Sequence, residues 1–240
     1  MKFACFGICV LFLLFATTSG VKHKRQHKKY APHKRAVHKR SSVKENAFVR
    51  IHIQSRDIVQ KATSIQQQLS RKDSQLRQYF QPPSSFHFTV LVTYVDNSNL
   101  NKAIQAVDTA VHKFKSEMFT PGDQFKLKVK GLQAFNKRRV LIATLEDNYD
   151  LENLNEYMMD EFKKHKLAAA HSAGHSINFH AHMSIVNIKD KSMECLGDNW
   201  QHMLNKNMHF GTETVKSIQL VRFGVNKQTR DYDVIHEVKF

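Results

Sequence analysis

Two short segments of this chain repeat one arrangement. Phe86-His87-Phe88-Thr89-Val90 and Phe179-His180-Ala181-His182-Met183-Ser184-Ile185 each set a histidine two residues before a hydroxyl, inside apolar flanks. Both read as strands. In a strand, residues i and i+2 point to the same face, so His87 with Thr89, and His182 with Ser184, each present an imidazole beside a hydroxyl. The two histidines are 95 positions apart (182 minus 87). A fold for this chain must therefore carry one histidine strand in each half.

The intervening sequence supplies the rest of such a fold. Ala47 to Ile53 alternates as a strand, and Ser55 is placed to cap a helix with Ile58, Ala62, Ile65 and Leu69 at helical spacing. Pro82-Pro83-Ser84 then breaks the chain ahead of a strand from Phe86 to Val95. Asp96-Asn97-Ser98-Asn99 caps a second helix carrying Leu100, Ile104, Val107, Val111 and Phe114. After the turn Pro121-Gly122-Asp123, strands are expected over Phe125 to Lys130 and Arg139 to Leu145. A third helix bears Leu151, Leu154, Met158 and Phe162, and final strands follow near Val215 to Phe223 and Tyr232 to Phe240. Each histidine strand follows the helix of its own half, and the pattern is α+β. His171 and His175, in Ala168 to Ser176, read as loop residues.

Composition divides the N-terminal region from the domain. Residues 1–20 combine Lys2, an apolar run from Phe3 to Ala16 and the small residues Thr17-Thr18-Ser19-Gly20, the layout of a secretory signal peptide. Residues 21–44 hold ten Lys or Arg, four His and no acid, so they are expected to form a disordered basic arm or a propeptide. Such an arm suits polyanions or nucleic acid. All 21 acidic residues lie at Glu45 or later and 26 basic ones remain there, so residues 45–240 carry about +5 of the formal +16. Cys5 and Cys9 fall in the leader, leaving Cys195 as a single thiol. That excludes a disulfide framework within one chain and points to a small buried hydrophobe.

The duplicated pair suits proton transfer. Histidine titrates near neutrality, so one imidazole can take a proton from an attacking oxygen while the other gives one to a leaving oxygen. Thr89 and Ser184 can donate hydrogen bonds to the non-bridging oxygens of a phosphodiester. This chemistry requires no metal or other cofactor. A metal-dependent hydrolase built on His171, His175, His180 and His182 is the competing enzyme reading. A non-catalytic nucleotide- or nucleic-acid-binding module of the same fold is the reading from another class.

With these motifs the chain resembles the two-histidine (2H) phosphoesterase superfamily, which includes LigT-like RNA phosphoesterases. Within it the chain is most similar to the A-kinase anchoring protein 7-like phosphoesterase domain. The resemblance runs over about Asn46 to Phe240. It rests on Phe48 to Ile53, on Ser85 to Val92, on Phe179 to Ser184, and on the connecting strands Leu127 to Phe135, His209 to Glu213 and Ile218 to Leu220. It implies a bilobal fold of two similar lobes, with antiparallel-rich sheets, outer helices and a central cleft. His87 and His182 would be the acid–base pair, and Thr89 and Ser184 the phosphate-binding hydroxyls. Implied substrates are 2',5'-linked oligonucleotides, 2',3'-cyclic phosphates or RNA ends. Ala181 stands where relatives often have proline. Kinase anchoring is not carried over, and a secreted monomer is expected.

Overall fold

The computed structural model describes residues 44–135, 139–171, 179–189 and 198–240. Residues 1–20, expected as a signal peptide, nearly all of the expected basic arm, His175 and Cys195 lie outside them. The described elements run β1 (Ala47–His52), α1 (Arg56–Lys72), β2 (His87–Thr93), α2 (Leu100–Met118), β3 (Lys126–Phe135), β4 (Val140–Leu145), α3 (Tyr149–Lys164), β5 (Ala169–His171), β6 (Met183–Asn187), β7 (Asn205–Thr214), β8 (Ser217–Val225) and β9 (Tyr232–Lys239). Short 3-10 turns cover Ser74–Tyr79, Pro83–Ser85 and Asp198–Met203.

The strands form two antiparallel sheets, ordered β5-β2-β1-β8-β9 and β6-β4-β3-β7. Each sheet holds one histidine motif, as the bilobal α+β reading expects. Sequence order does not, however, say which helix covers which sheet. α1, which precedes the His87 strand, packs on β6 and β7 of the other sheet, whereas α3, which precedes the His182 segment, packs on β2 and β5. Each half of the chain thus lends its helix to the opposite sheet, and one continuous core joins both.

Local chemistry fixes how α1 is seated. Ser55 stands at its N-cap without bonding the helix through its side chain. The buried Glu213 carboxylate of β7 instead accepts the backbone N–H groups of Gln54 at 2.9 Å and Ser55 at 2.7 Å, placing negative charge where the helix dipole favours it. Gly211, at φ +138°, lets this end of α1 lie close, since a Cβ there would stand 3.3 Å from Ile58 Cγ1. In α2 the buried face is turned toward Ala103, Ala106 and Ala110, and Leu100 and Ile104 are only part-buried. α2 meets α3 through Phe114, whose ring lies 5.9 Å from that of Tyr157, and through Glu117, which accepts the Tyr157 hydroxyl at 2.7 Å.

Two local expectations are corrected. Ala169–His171 is not loop but strand, pairing with Leu91 to Thr93 at the edge of the first sheet. Conversely, the second motif is strand only from Met183, which pairs with Ala143, so His180 and His182 precede β6. The ladder with β4 begins only at Met183, opposite Ala143, and just before it the carbonyl of His180 accepts the Nδ1–H of His182 at 2.9 Å.

Candidate active site

Strand parity decides which side chains of the first sheet leave the core. Ala47, Val49 and Ile51 of β1 enter it, so Phe48, Arg50 and His52 lie on the other face. Register sets His52 opposite His87 and Arg50 opposite Thr89. Although they belong to different sheets, β2 and β6 contact each other, and a charge on His182 acts on His87. The two motifs therefore come together.

Both imidazoles are held in the same way. His87 Nδ1 lies 2.7 Å from the Ser85 carbonyl, and His182 Nδ1 lies 2.9 Å from the His180 carbonyl, in each case two residues back. A carbonyl oxygen only accepts, so each Nδ1 carries the hydrogen and each neutral ring keeps its lone pair on Nε2. Neither of these contacts was legible in residue spacing alone. Thr89 and Ser184 are part-buried, and among the described residues neither hydroxyl has a side-chain hydrogen-bond partner.

The two rings differ electrostatically. Burial lowers His87 to about 4; the Ser85 bond opposes this, and the charges of Arg50, His182 and His52 deepen it. Burial also lowers His182, against its bond to His180, with only His180 as an added repelling charge. His87 is thus the ring held neutral by its surroundings.

Around His87 stands a scaffold that the sequence reading missed. Arg50 is fully buried and makes a bidentate pair with Asp231, at 2.6 and 2.9 Å, while its Nε donates to Gln219 at 2.9 Å. Burial works against the Asp231 carboxylate, yet the Arg50 bonds hold its pKa below the ordinary range. The next residue, Tyr232, meets the His87 ring edge-on at 5.2 Å and Phe48 at 4.8 Å, and Phe48 contacts the same imidazole at 5.0 Å. The available signal was Arg50 itself, a charge inside the otherwise apolar run of β1. Its partner lies 181 positions away, beyond any local pattern.

On the other side, Phe135 is 41% exposed and lies 5.8 Å from the His182 ring, and it stacks on His180 at 6.3 Å. His180 and His182 are themselves 6.0 Å apart, centre to centre. Among the described residues no three His, Cys, Asp or Glu side chains gather as metal ligands. The His171 side chain and all of His175, which the metal reading would need, lie outside them.

Comparison with known proteins fits this geometry. The family model of the AKAP7 2'5' RNA ligase-like domain matches residues 45–240. The chain belongs to this family. It is accordingly a two-histidine phosphoesterase, a superfamily of phosphodiesterases. No curated protein sequence matches it significantly. Among solved structures, TT0787 of Thermus thermophilus is similar at a TM-score of 0.54 and 16% identity, covering 81% of this chain and 97% of that one. The MHV ns2 PDE domain aligns at 0.52 and 12% identity, covering 75% and 100%. E. coli LigT complexed with ATP aligns at 0.50 and 12%, covering 82% and 98%. At these identities the likeness is one of fold.

Proposed function

We propose that this chain is a secreted, metal-independent phosphodiesterase acting as a monomer on 2',5'-linked oligonucleotides, 2',3'-cyclic phosphates or RNA ends. The observation that carries the reading is the matched pair of imidazoles, each with Nδ1–H given to the carbonyl two residues back and Nε2 left for chemistry. His87, held neutral, takes the proton of the attacking oxygen as the new O–P bond forms. His182, protonated once the anionic substrate is beside it, gives its proton to the leaving oxygen as the P–O bond breaks. Thr89 and Ser184 donate to the non-bridging oxygens, where charge develops. The exposed rings of Phe135 and of Phe223, which stacks on Phe48 at 5.1 Å, offer faces on which bases can lie. Bound ATP in LigT is compatible with a nucleotide ligand in this fold.

The leader-like residues 1–20 support secretion, and the basic arm at 21–44 supports contact with polyanions. The deciding experiment incubates the purified protein, with EDTA, against 2',5'- and 3',5'-linked oligonucleotides and 2',3'-cyclic nucleotides. Turnover that survives chelation and disappears in His87→Ala is the expected result. Activity lost to EDTA and restored by zinc would move the chemistry to the His171 to His182 segment.

A further inference from the structure

Beside the histidine site lies a second feature that the chemistry above leaves unused. A pocket of about 380 Å³ opens between Thr63, Gln67 and Ser70 of α1 and the side chains of Arg77, Gln81 and Arg230, with no acidic residue in its lining. Arg77 and Arg230 are exposed, and among the described residues neither guanidinium has an ion-pair or hydrogen-bond partner. Two unneutralised guanidinium groups over hydroxyls and amides form a surface for a phosphate group, which arginine binds through planar, bidentate hydrogen bonds.

This pocket is coupled to both motifs. Pro82 and Pro83 line it, and the turn they begin ends at Ser85, whose carbonyl holds His87. Pro83 and His87 are four residues apart, so their Cα atoms are separated by no more than about 14 Å. Arg230 is likewise followed directly by Asp231, which holds Arg50, and by Tyr232, which packs on His87. Its backbone is fixed at φ +57° and its carbonyl accepts the Ser84 hydroxyl at 2.8 Å. On the other flank, the buried Gln66 donates to the carbonyls of Gln81 at 2.8 Å and Ile185 at 2.9 Å, the latter next to Ser184.

We propose that the Arg77–Arg230 pocket is a second phosphate subsite, which holds a neighbouring phosphate of an oligonucleotide whose scissile phosphate lies between His87 and His182. The inference rests on the phosphodiesterase reading and adds to it a preference for chains with more than one phosphate. A dinucleotide, with one phosphate, fills the histidine site alone; a tetranucleotide, with three, reaches both.

The test measures equilibrium binding of cleavage-resistant phosphorothioate 2',5'-linked di- and tetranucleotides to the full chain and to the double variant Arg77→Gln/Arg230→Asn. Asparagine tolerates the left-handed backbone at position 230. Both proteins carry the same arm, so its contribution cancels. The variant should bind the tetranucleotide about tenfold or more weakly and bind the dinucleotide unchanged. Its salt slope for the longer ligand should fall by about 0.7, the loss of one phosphate contact on a single strand. Equal weakening for both lengths, or no change for the longer one, would overturn the proposal. Failure of the two-histidine reading would leave a different mark: natural linkages would go uncut by wild-type protein, while the length-dependent loss in the arginine variant persisted.

Discussion

At the scale of single residues, the two histidines divide the labour through their surroundings. His87 is lowered to about 4 and His182 also falls below its ordinary value of about 6.5, so the working pair of neutral His87 and protonated His182 is most populated between those limits. The profile of kcat/KM against pH should be bell-shaped, with both limbs at or below about 6.5. The upper limb of kcat should lie higher, because the bound phosphate favours protonated His182. Removing either imidazole should cost roughly 10² to 10⁴-fold, and Thr89→Ala or Ser184→Ala roughly 10 to 10³-fold in steady-state turnover. The double histidine variant should lose less than the product of the single losses. The depressed His87 also bears on stability: as pH falls from about 6.5 toward 4 the unfolded chain binds the proton first, so the fold weakens over that window. Arg50 belongs to the same scale. Arg50→Met would strand the Asp231 carboxylate, a loss of about 3 kcal/mol in chemical denaturation. Arg50→Lys should restore only part of it, since an ammonium cannot make the bidentate pair.

At the scale of elements, α1 is held by contacts from β7 rather than by a cap within its own sequence. Glu213→Gln keeps the shape and removes the charge that two backbone N–H groups share. A loss of about 1 kcal/mol is expected in the same denaturation experiment. Gly211→Ala should cost about 1–3 kcal/mol, because its new Cβ meets Ile58 and the backbone there is left-handed. Much at this level was legible in the sequence. Apolar spacing foretold the three long helices among the described residues. Periodicity shows that a helix has a buried face but not what covers that face, so the exchange of α1 and α3 between sheets was hidden. The segment before β6 misled for a related reason: Phe179 to His182 has strand-like composition, but the ladder with β4 begins only at Met183. Arg50 was passed over because alternation in β1 concealed a charge whose partners come from the far end of the chain.

For the whole molecule, charge is distributed unevenly. Ten of the basic residues stand at positions 21–44, the expected arm, and residues 45–240 keep only about +5. Removing the arm should therefore weaken binding to heparin or long RNA, most strongly at low salt, and leave dinucleotide turnover nearly unchanged. Equal retention of both proteins on a heparin column would take the arm out of substrate capture. The exchange of helices has its own consequence. A cut at Pro121–Gly122 would leave β1 and β2 without β5, β8 and β9, their partners in the same sheet, and would part α1 from the strands it covers. Neither piece would hold a finished core, yet each carries one of the two histidines. Mixed together, the fragments should find each other and regain activity only as a pair, making the catalytic site a reporter of its own reassembly.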